Sequence, residues 1–438
     1  MSSAGIKITA AKKKVSGTIH LTGSKSESNR ALIMQAMSKG AVEVKNLSEA
    51  ADTVTLLGIL QPSDVERGKL KVENGKLKAE NDALVKSPKV IDIGPAGTAM
   101  RFLTAYYTLQ NGEVILTGSA RMKQRPIGIL VDALRELGAE IEYAENDGYP
   151  PLVIRGPLKQ KSEKVSIKGN ISSQYISSLL LAAPLLEKGL ELIIEGELTS
   201  KPYVEMTLAM LAQAGIKYTW KENIIRIPNQ VYTKSTISVE PDWSAASYWY
   251  SIAALAEEAE LFIPGLNGYS LQGDSKITEI MANFGITSQF KDGGVLIRKE
   301  YKKLERKIFD FKECPDLAQT VIVICAALGH NSTFTGMETL KIKETDRVNA
   351  LQIELAKIGV KLIEKNQTYQ LDCSERDLKK SIRIKTYDDH RMAMAFAPLA
   401  LVLNQMEIED HLVVEKSYPH FWKDLESVGY DIEIVNSK

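Results

Sequence analysis

The sequence predicts an α/β protein of six βαβαββ repeats, arranged as two lobes of three units around buried helices, each lobe an inside-out α/β barrel. Three observations indicate this fold. Short polar stretches precede an apolar run with helical spacing at intervals of 71 to 76 residues. Each run is followed by a β-like segment and by a second amphipathic stretch that ends near a glycine. Most units then close with a pattern typical of a β-hairpin.

The first helix of each unit is predicted from residues that favour a helix N-terminus. In residues 22–30 a glycine, three serines and an asparagine come before an apolar run. The equivalent positions are Ser26, Gly97, Ser173, Ser244, Asp316 and His390, and the predicted helices cover 31–37, 100–108, 176–186, 246–256, 320–328 and 392–403.

The remaining elements follow in the same order in each unit. The β-like segments are 42–44, 114–116, 192–194, 261–263, 333–335 and 413–414. The second helices are predicted to end at Gly138, Gly215, Gly285, Gly359 and Gly429. Hairpin turns are predicted at Asn74-Gly75, Asp147-Gly148, Lys221-Glu222-Asn223, Asp292-Gly293 and Asn366-Gln367.

The six units predict two domains. Residues 6–21 alternate like strands, and the sixth unit lacks room for a complete hairpin, so we expect this leader to join the C-terminal lobe. The predicted lobes are residues 1–22 plus 243–438, and residues 23–242. The chain then crosses between them near 21–23 and 240–244.

Composition excludes several classes of protein. Lys+Arg and Asp+Glu both number 55, so a general nucleic-acid-binding surface is not expected. Three cysteines without a CxxC pair, and histidines without ligand spacing, predict no disulfide framework, metal site or cofactor. The longest apolar run, 393–403, is too short to span a bilayer, and no apolar segment of a signal peptide follows the N-terminal lysines. We therefore expect a cytoplasmic protein without a membrane partner.

Cations lie close to several of the predicted helix starts. A positive charge there opposes the helix dipole, so its recurrence indicates bound anions. These cations are Lys25, Arg30, Arg101, Arg125, Lys343, Arg347, Arg391 and Lys416. In the third unit, hydroxyls and an amide at two helix starts instead predict a neutral phosphate site. Asp316 is the matching residue of the fifth unit, and a plain helix N-cap is an equally good interpretation of it.

Together these motifs resemble those of the 3-phosphoshikimate 1-carboxyvinyltransferases, a family of enolpyruvyl transferases. The resemblance covers essentially the whole chain. It rests on the Lys25 motif, Gly97-Thr98-Ala99-Met100-Arg101, residues 121–126, residues 343–347 and residues 389–392. It implies two lobes that close on their substrates, and a reaction in which the 5-hydroxyl of shikimate 3-phosphate adds to C2 of phosphoenolpyruvate before phosphate is lost. No cofactor is implied, and we expect a monomer.

The resemblance also implies the site residues. Phosphoenolpyruvate ligands are expected at Lys25, Gly97, Arg125, Gln174, Arg347, Arg391 and Lys416. Shikimate 3-phosphate ligands are expected at Lys25, Ser26, Arg30, Ser172, Ser173, Gln174, Ser200, Tyr203, Asp316, Thr339 and Lys343. Asp316 is the expected base for the 5-hydroxyl and Glu344 the group for proton transfer at C3. Lys25 is expected near the leaving phosphate, with Asp389 and His390 nearby in roles left open.

Three residues depart from the usual family pattern. Pro95 and Thr339 stand where asparagine is usual, and Phe102 stands where proline is usual. Thr339 has a shorter side chain with one donor, which affects one shikimate contact. Gly97 is retained, so inhibition by glyphosate in competition with phosphoenolpyruvate is expected.

Other functions compete with this interpretation. A UDP-N-acetylglucosamine enolpyruvyl transferase usually has a cysteine in the loop corresponding to residues 121–125, and this loop has none. RNA 3′-phosphate cyclisation on a related repeat fold calls for a basic RNA-binding face, which zero net charge disfavours. A non-catalytic anion-binding scaffold is disfavoured by the presence of Lys25, Asp316, Glu344 and His390 together.

Overall fold

The computed structural model describes residues 5–10, 13–61, 72–73, 76–77, 88–305, 307–379, 381–403 and 405–435. In these ranges the chain forms a mixed α/β fold. The helices are α1 (Lys25–Met37), α2 (Ala51–Leu60), α3 (Gly97–Thr108), α4 (Gly128–Leu137), α5 (Ser173–Ala182), α6 (Lys201–Gln213), α7 (Trp243–Leu255), α8 (Ile277–Ala282), α9 (Ala318–Leu328), α10 (Arg347–Ala356), α11 (His390–Phe396) and α12 (Phe421–Ser427).

The strands of the N-terminal half are β1 (Gly5–Ala10), β2 (Lys14–Thr18), β3 (Val42–Lys45), β4 (Val72–Glu73), β5 (Lys76–Leu77), β6 (Lys89–Asp92), β7 (Gly112–Thr117), β8 (Glu140–Tyr143), β9 (Leu152–Gly156), β10 (Lys164–Lys168), β11 (Leu190–Glu195), β12 (Thr219–Lys221), β13 (Ile224–Ile227) and β14 (Ser235–Ser238). Those of the C-terminal half are β15 (Glu258–Pro264), β16 (Ile286–Lys291), β17 (Gly294–Lys299), β18 (Ile308–Asp310), β19 (Thr333–Thr335), β20 (Lys361–Lys365), β21 (Thr368–Asp372), β22 (Ile382–Ile384), β23 (Met406–Ile408) and β24 (Tyr430–Val435).

One strand order recurs in the four-stranded sheets. A leading strand pairs in parallel with the strand that follows the first helix, and two antiparallel strands complete the sheet. The sheets with this order are β6-β7-β9-β8, β10-β11-β13-β12, β2-β15-β17-β16, β18-β19-β21-β20 and β22-β23-β1-β24. In the parallel pair β14-β3, β3 likewise follows a first helix, α1, but β14 comes from the end of residues 23–242 rather than from just before that helix. A right-handed crossover through one helix is the usual connection between such parallel strands.

The strands of the N-terminal leader pair with distant parts of the chain. β1 lies between β23 and β24, with Ile6 opposite Ile408 and Ile434. β2 pairs in parallel with β15. β1 and β2 therefore complete sheets whose other strands come from residues 258–435.

Buried hydrophobic residues form two clusters. One cluster comes from residues 31–237, and within it α1, α3 and α5 contact one another. The other comes from residues 6–21 and 243–430, and within it α7, α9 and α11 contact one another. These helices are buried along most of their length, which accounts for the apolar runs in their sequences.

The chain passes between the two clusters twice, and the two passages lie side by side. The amide of Ser24 donates to the carbonyl of Glu240 at 2.7 Å, and that of Asp242 donates to the carbonyl of Thr22 at 3.1 Å. Gly23 is required here, since a Cβ atom on it would lie 2.0 Å from the carbonyl oxygen of Asn46.

Several sequence-based boundaries are wrong. Residues 413–414 belong to a 3₁₀ helix (His411–Lys416), and the strand is β23, which pairs with both β1 and β22. The helices predicted to 186 and 403 end at Ala182 and Phe396 and continue as 3₁₀ turns. Pro184 and Pro398 lie in those turns, and proline cannot donate the amide hydrogen bond of an α-helix.

Two of the predicted hairpin turns are present in the structure. Asp292-Gly293 and Asn366-Gln367 each join two antiparallel strands. Asn74-Gly75 lies outside the described residues, although β4 and β5 on either side of it pair in antiparallel fashion.

None of the described helices is long and apolar enough to cross a membrane. In the same part of the chain no group of three or more His, Cys, Asp or Glu side chains is placed to hold a metal ion.

Candidate active site

A cavity lies where residues 23–242 face residues 243–438. Seven lysines and arginines line it, against four aspartates and glutamates. The cations are Lys25, Arg30, Arg101, Arg125, Lys343, Arg347 and Arg391, and the acids are Asp52, Asp242, Asp316 and Glu344. The lining has an excess of three positive charges on a chain with no net charge. Such an excess suits anionic ligands.

The structure brings the predicted site residues together. Those that line the cavity are Lys25, Ser26, Arg30, Gly97, Arg125, Ser172, Ser173, Gln174, Ser200, Tyr203, Asp316, Thr339, Lys343, Glu344, Arg347, His390 and Arg391. Lys416 and Asp389 lie directly behind it. The ammonium group of Lys416 is 3.1 Å from Glu344 Oε1, and Asp389 Oδ2 accepts from Arg347 Nε at 2.7 Å.

Lys25 is the first residue of α1, and carboxylates accept hydrogen bonds from both its backbone amide and its side-chain ammonium group. Its backbone amide donates to Asp242 Oδ2 at 3.1 Å, and its Nζ donates to Asp52 Oδ2 at 3.3 Å. Ser24 caps the helix by accepting from the amide of Glu27. The ammonium group is therefore fixed at the edge of the cavity at the N-terminus of a helix, where an anion is favoured.

Two buried arginines have no carboxylate partner among the described residues. Arg30 donates to hydroxyls, with Nε 2.7 Å from Thr207 Oγ1, and its guanidinium lies 5.4 Å from the ring centroid of Phe102. Arg101 donates to the carbonyls of Gly97 and Pro126. Burial lowers the pKa of each to about 10, so both stay charged at neutral pH. Uncompensated buried charges are costly, and a bound anion offsets that cost.

Asp316 and Glu344 lie within a cluster of cations. Arg347 donates to Asp316 Oδ1 at 3.0 Å and to Glu344 Oε2 at 2.9 Å, and Arg391 donates to Asp316 Oδ2 at 2.8 Å. Burial raises the pKa of both carboxyls, but the cations outweigh it and hold each pKa well below its usual range. For Asp316 the cations are chiefly Arg391 and Lys343, and for Glu344 they are Lys416 and Arg347. Both acids are ionised in this state.

The helix-cap interpretation of Asp316 is wrong. This residue lies in a 3₁₀ turn (Pro315–Leu317) before α9, and neither element has a side-chain cap. Both oxygens of its carboxylate accept from arginines instead. A carboxylate held in this way faces the cavity as a candidate base rather than as part of a helix terminus.

His390 is a buried neutral imidazole. Its side chain is almost fully buried, and neither ring nitrogen has a hydrogen-bond partner in the described structure. Burial, together with Lys25 and Arg391, lowers its pKa well below the usual value. An imidazole with free ring nitrogens at the wall of a cavity can donate to or accept from a ligand.

The third unit forms a polar wall without carboxylates. Ser172 caps α5 by accepting from the amide of Gln174, and Gln174 Nε2 donates to Thr98 Oγ1 at 3.1 Å. Ser200 has φ of +55° and turns the chain into α6, so that it and Tyr203 line the cavity. Hydroxyls and amides at two helix N-termini are good ligands for a phosphate group.

Gly97 provides room for Arg125. A Cβ atom on Gly97 would lie 2.5 Å from Arg125 Nη1 and 3.0 Å from Cζ. Arg125 is almost fully buried, and its Nη1 is 3.8 Å from Glu344 Oε1 across the cavity. The glycine therefore allows this guanidinium to lie against the start of α3.

Sequence reasoning missed several lining residues. Asp52 and Asp242 hold Lys25, and Tyr248 accepts from Arg391 Nη1 at 3.3 Å. Ser244 was recognised as a helix start, yet no contact was predicted for it, and its hydroxyl accepts from Arg391 Nη2. Asp242 is the N-cap of α7, a position that its sequence shows, whereas no sequence pattern distinguishes Asp52 or Tyr248 from other helix residues.

Comparisons with known proteins identify the family of this chain. The family described as EPSP synthase (3-phosphoshikimate 1-carboxyvinyltransferase) matches residues 9–425. A 3-phosphoshikimate 1-carboxyvinyltransferase of Bacteroides fragilis is 44% identical over 429 residues, which is 98% of both chains. One of Sulfurovum sp. is 37% identical over 95% of this chain and 97% of that protein.

A solved structure shows the same fold. The EPSP synthase of Acinetobacter baumannii superposes with a TM-score of 0.74 at 22% identity, covering 99% of this chain and all of that one. Together with the match across nearly the full length of both sequences, these similarities show that the chain belongs to the EPSP synthase family.

Proposed function

We propose that the cavity between residues 23–242 and 243–438 is the active site in which this chain carries out the reaction of its family. The chain is a transferase of the shikimate pathway, which leads to the aromatic amino acids. It moves the enolpyruvyl group of phosphoenolpyruvate to the 5-hydroxyl of shikimate 3-phosphate and releases inorganic phosphate. The observation that carries the site assignment is the convergence of cations from distant parts of the chain on one cavity.

Phosphoenolpyruvate is assigned to the cation-rich side of the cavity. Its proposed ligands are Lys25, Gly97, Arg125, Gln174, Arg347, Arg391 and Lys416. Planar guanidinium groups suit carboxylate and phosphate because they donate two parallel hydrogen bonds. The contacts of Arg125, Arg347 and Lys416 with Glu344 support this assignment, since these cations already surround an anionic group.

Shikimate 3-phosphate is assigned to the wall formed by the third unit. Its proposed ligands are Lys25, Ser26, Arg30, Ser172, Ser173, Gln174, Ser200, Tyr203, Asp316, Thr339 and Lys343. The phosphate lies against the serines and Gln174 at the N-termini of α5 and α6, where an anion is favoured. The unpaired charge of buried Arg30 near this wall also favours an anion there.

The chemistry needs a base for the 5-hydroxyl and an acid for C3 of phosphoenolpyruvate. Asp316 is ionised and takes the hydroxyl proton as the oxygen adds to C2. Glu344 delivers a proton to C3, giving a methyl group in the tetrahedral intermediate. Loss of phosphate from C2 and return of one methyl proton then regenerate the double bond. Lys25 lies beside the leaving phosphate and stabilises its charge.

Glu344 must gain a proton before it can donate one. It is ionised here because three cations surround it. Entry of an anionic substrate among the same cations neutralises part of that charge, which raises the pKa of Glu344 toward neutrality. Neutral His390, with Asp389 beside it, is placed to relay protons or to hold a substrate oxygen.

The remaining predictions concern architecture and ligands. We assign residues 1–22 plus 243–438 and residues 23–242 to two inside-out α/β barrel lobes of three repeats each, joined by the crossovers near 21–23 and 240–244. The two hydrophobic clusters support this division. Binding of glyphosate in the phosphoenolpyruvate site, the monomeric state, the cytoplasmic location and independence of a cofactor stay predictions from the sequence.

The competing functions have less support. A UDP-N-acetylglucosamine transferase would use a nucleotide sugar, which suits the serine wall poorly, and the family match favours 3-phosphoshikimate as acceptor. RNA 3′-phosphate cyclisation calls for a basic RNA-binding face, whereas acidic and basic residues are equal in number here. The family match also favours an enzyme over a non-catalytic anion-binding scaffold.

Phosphate release tests the function directly. We expect release from phosphoenolpyruvate with shikimate 3-phosphate and none with UDP-N-acetylglucosamine. Lys25→Ala and Glu344→Ala are expected to lower turnover by about 100-fold or more while the circular dichroism spectrum is unchanged. Release with the nucleotide sugar alone would overturn the proposal, and wild-type turnover in either variant would overturn that residue's role.

A further inference from the structure

Arg121 contacts a segment from the opposite half of the chain. It lies in the loop between β7 and α4, just before a 3₁₀ turn (Met122–Gln124). Its Nε donates to the backbone carbonyl of Glu344 at 3.1 Å, and its Nη2 donates to the carbonyl of Lys343 at 3.3 Å. One guanidinium therefore holds two consecutive peptide groups that are more than two hundred residues away in sequence.

The peptide groups that Arg121 holds carry two proposed functional side chains. Lys343 and Glu344 form the connection between a 3₁₀ helix (Glu338–Ile342) and α10. Arg125, from the same loop as Arg121, approaches the side chain of Glu344 at 3.8 Å. In this loop, Arg121 therefore contacts the backbone of the Lys343-Glu344 connection, and Arg125 contacts the Glu344 carboxylate.

The contacts of Arg121 indicate that this side chain binds the protein's own backbone rather than a substrate. Its side chain does not line the cavity, and it forms no ion pair with a carboxylate in the described residues. Besides the two carbonyls it donates only to Gln124 Oε1, at 3.4 Å, within its own loop. Donation to two adjacent carbonyls uses the planar fork of the guanidinium, which an ammonium group cannot reproduce.

We propose that Arg121 is a positioning residue that fixes the Lys343-Glu344 connection across the cavity, and so places the Glu344 carboxyl for proton transfer to C3. This inference rests on the proposed function of Glu344.

Two variants and a matched control test the inference. Arg121→Ala removes both hydrogen bonds, and Arg121→Lys keeps the charge without the fork. Lys123→Ala is the control, because Lys123 lies in the same loop but pairs with Glu145 of its own half at 2.6 Å. Turnover and KM are measured by phosphate release, and deuterium incorporation into recovered phosphoenolpyruvate is measured in D₂O.

We expect Arg121→Ala to lower kcat and deuterium incorporation together by about tenfold, the order of magnitude for loss of charge-assisted hydrogen bonds. Arg121→Lys should lie between that variant and the wild type, and Lys123→Ala should match the wild type. Kinetics of Arg121→Ala equal to those of Lys123→Ala would overturn the inference. A raised KM with unchanged kcat would also overturn it, since it would make Arg121 a substrate-binding group.

A measurement that does not depend on activity separates this inference from the proposed function. Backbone amide exchange in residues 338–350, measured with shikimate 3-phosphate present, should be faster in Arg121→Ala than in Lys123→Ala. Equal exchange in the two variants would overturn the inference even if the enzyme is fully active. Absence of phosphate release from the wild type would count against the proposed function alone.

Discussion

Gly97→Ala tests whether the start of α3 sets the position of Arg125. The added Cβ atom would lie 2.5 Å from Nη1 and 3.0 Å from both Cζ and Nη2 of Arg125. Ordinary carbon–nitrogen contact needs about 3.5 Å, so the guanidinium must move by roughly 1 Å. Since only the far end of a flexible side chain is displaced, the fold should be unaffected.

The expected change in KM follows from the free energy of the hydrogen bond that the displaced Arg125 would no longer donate to phosphoenolpyruvate. A charge-assisted hydrogen bond contributes about 1.5–3 kcal/mol, and 1.4 kcal/mol is a factor of ten in affinity. We expect the KM for phosphoenolpyruvate to rise by about 10- to 100-fold. The KM for shikimate 3-phosphate should change by less than about threefold, because Arg125 is not among its proposed ligands.

Steady-state phosphate release with each substrate varied in turn measures this effect. Gly58→Ala is the matched control, because Gly58 also lies in a helix and a Cβ atom there would meet nothing within 4 Å. An unchanged KM for phosphoenolpyruvate in Gly97→Ala would refute the reasoning. Equal effects of both substitutions would do the same, because they would point to the helix rather than to Arg125.

Three further predictions concern buried groups. Burial raises the pKa of Glu27 to about 7 from an ordinary 4.5, so the folded state holds a proton that the unfolded state loses, and stability falls as the pH rises from 4.5 to 7. Glu27→Gln should remove up to about 3 kcal/mol of this fall, measured by urea unfolding at pH 5 and 7.5, and an unchanged pH dependence would contradict it. Phe102→Ala should lower the free energy of unfolding by about 3–5 kcal/mol, because Phe102 is buried. Phe290 is half-exposed, so Phe290→Ala should cost less than half as much. Equal losses in the two variants would show that Phe102 is not a core residue. Arg30→Met should weaken calorimetric binding of shikimate 3-phosphate by about tenfold or more without loss of stability, and unchanged affinity would remove Arg30 from the site.

The sequence predicted those features of the fold that depend on neighbouring residues. Ser24 and Ser172 cap α1 and α5 within the polar stretches that predicted helix starts, because a cap is a contact between residues two or three apart. Turns such as Asp292-Gly293 are equally local. Repetition of these short patterns predicted six similar units and cations at their helix starts, and the family resemblance implied the roles of those cations.

Local sequence patterns did not predict strand pairing correctly where the partner strand is distant in sequence. Residues 413–414 have the apolar character of a strand, yet the ladder beside β1 is formed by β23. The parallel pairs β2-β15 and β14-β3 join segments that are far apart in sequence, and nothing in either segment alone specifies its neighbour. Strand pairing depends on which edges the completed fold brings together.

Electrostatics of the site also came only from the tertiary structure. Lys25 meets Asp52 and Asp242, which lie 27 and 217 residues further along the chain. The low pKa of Glu344 and the neutral state of His390 are sums over charges from several helices. Sequence by itself determined the kinds of groups at each helix start and the repeat that carries them. Their distances, protonation and the contact of Arg121 with the opposite half were decided by folding, because Coulomb energies and hydrogen bonds depend on separation in space rather than along the chain.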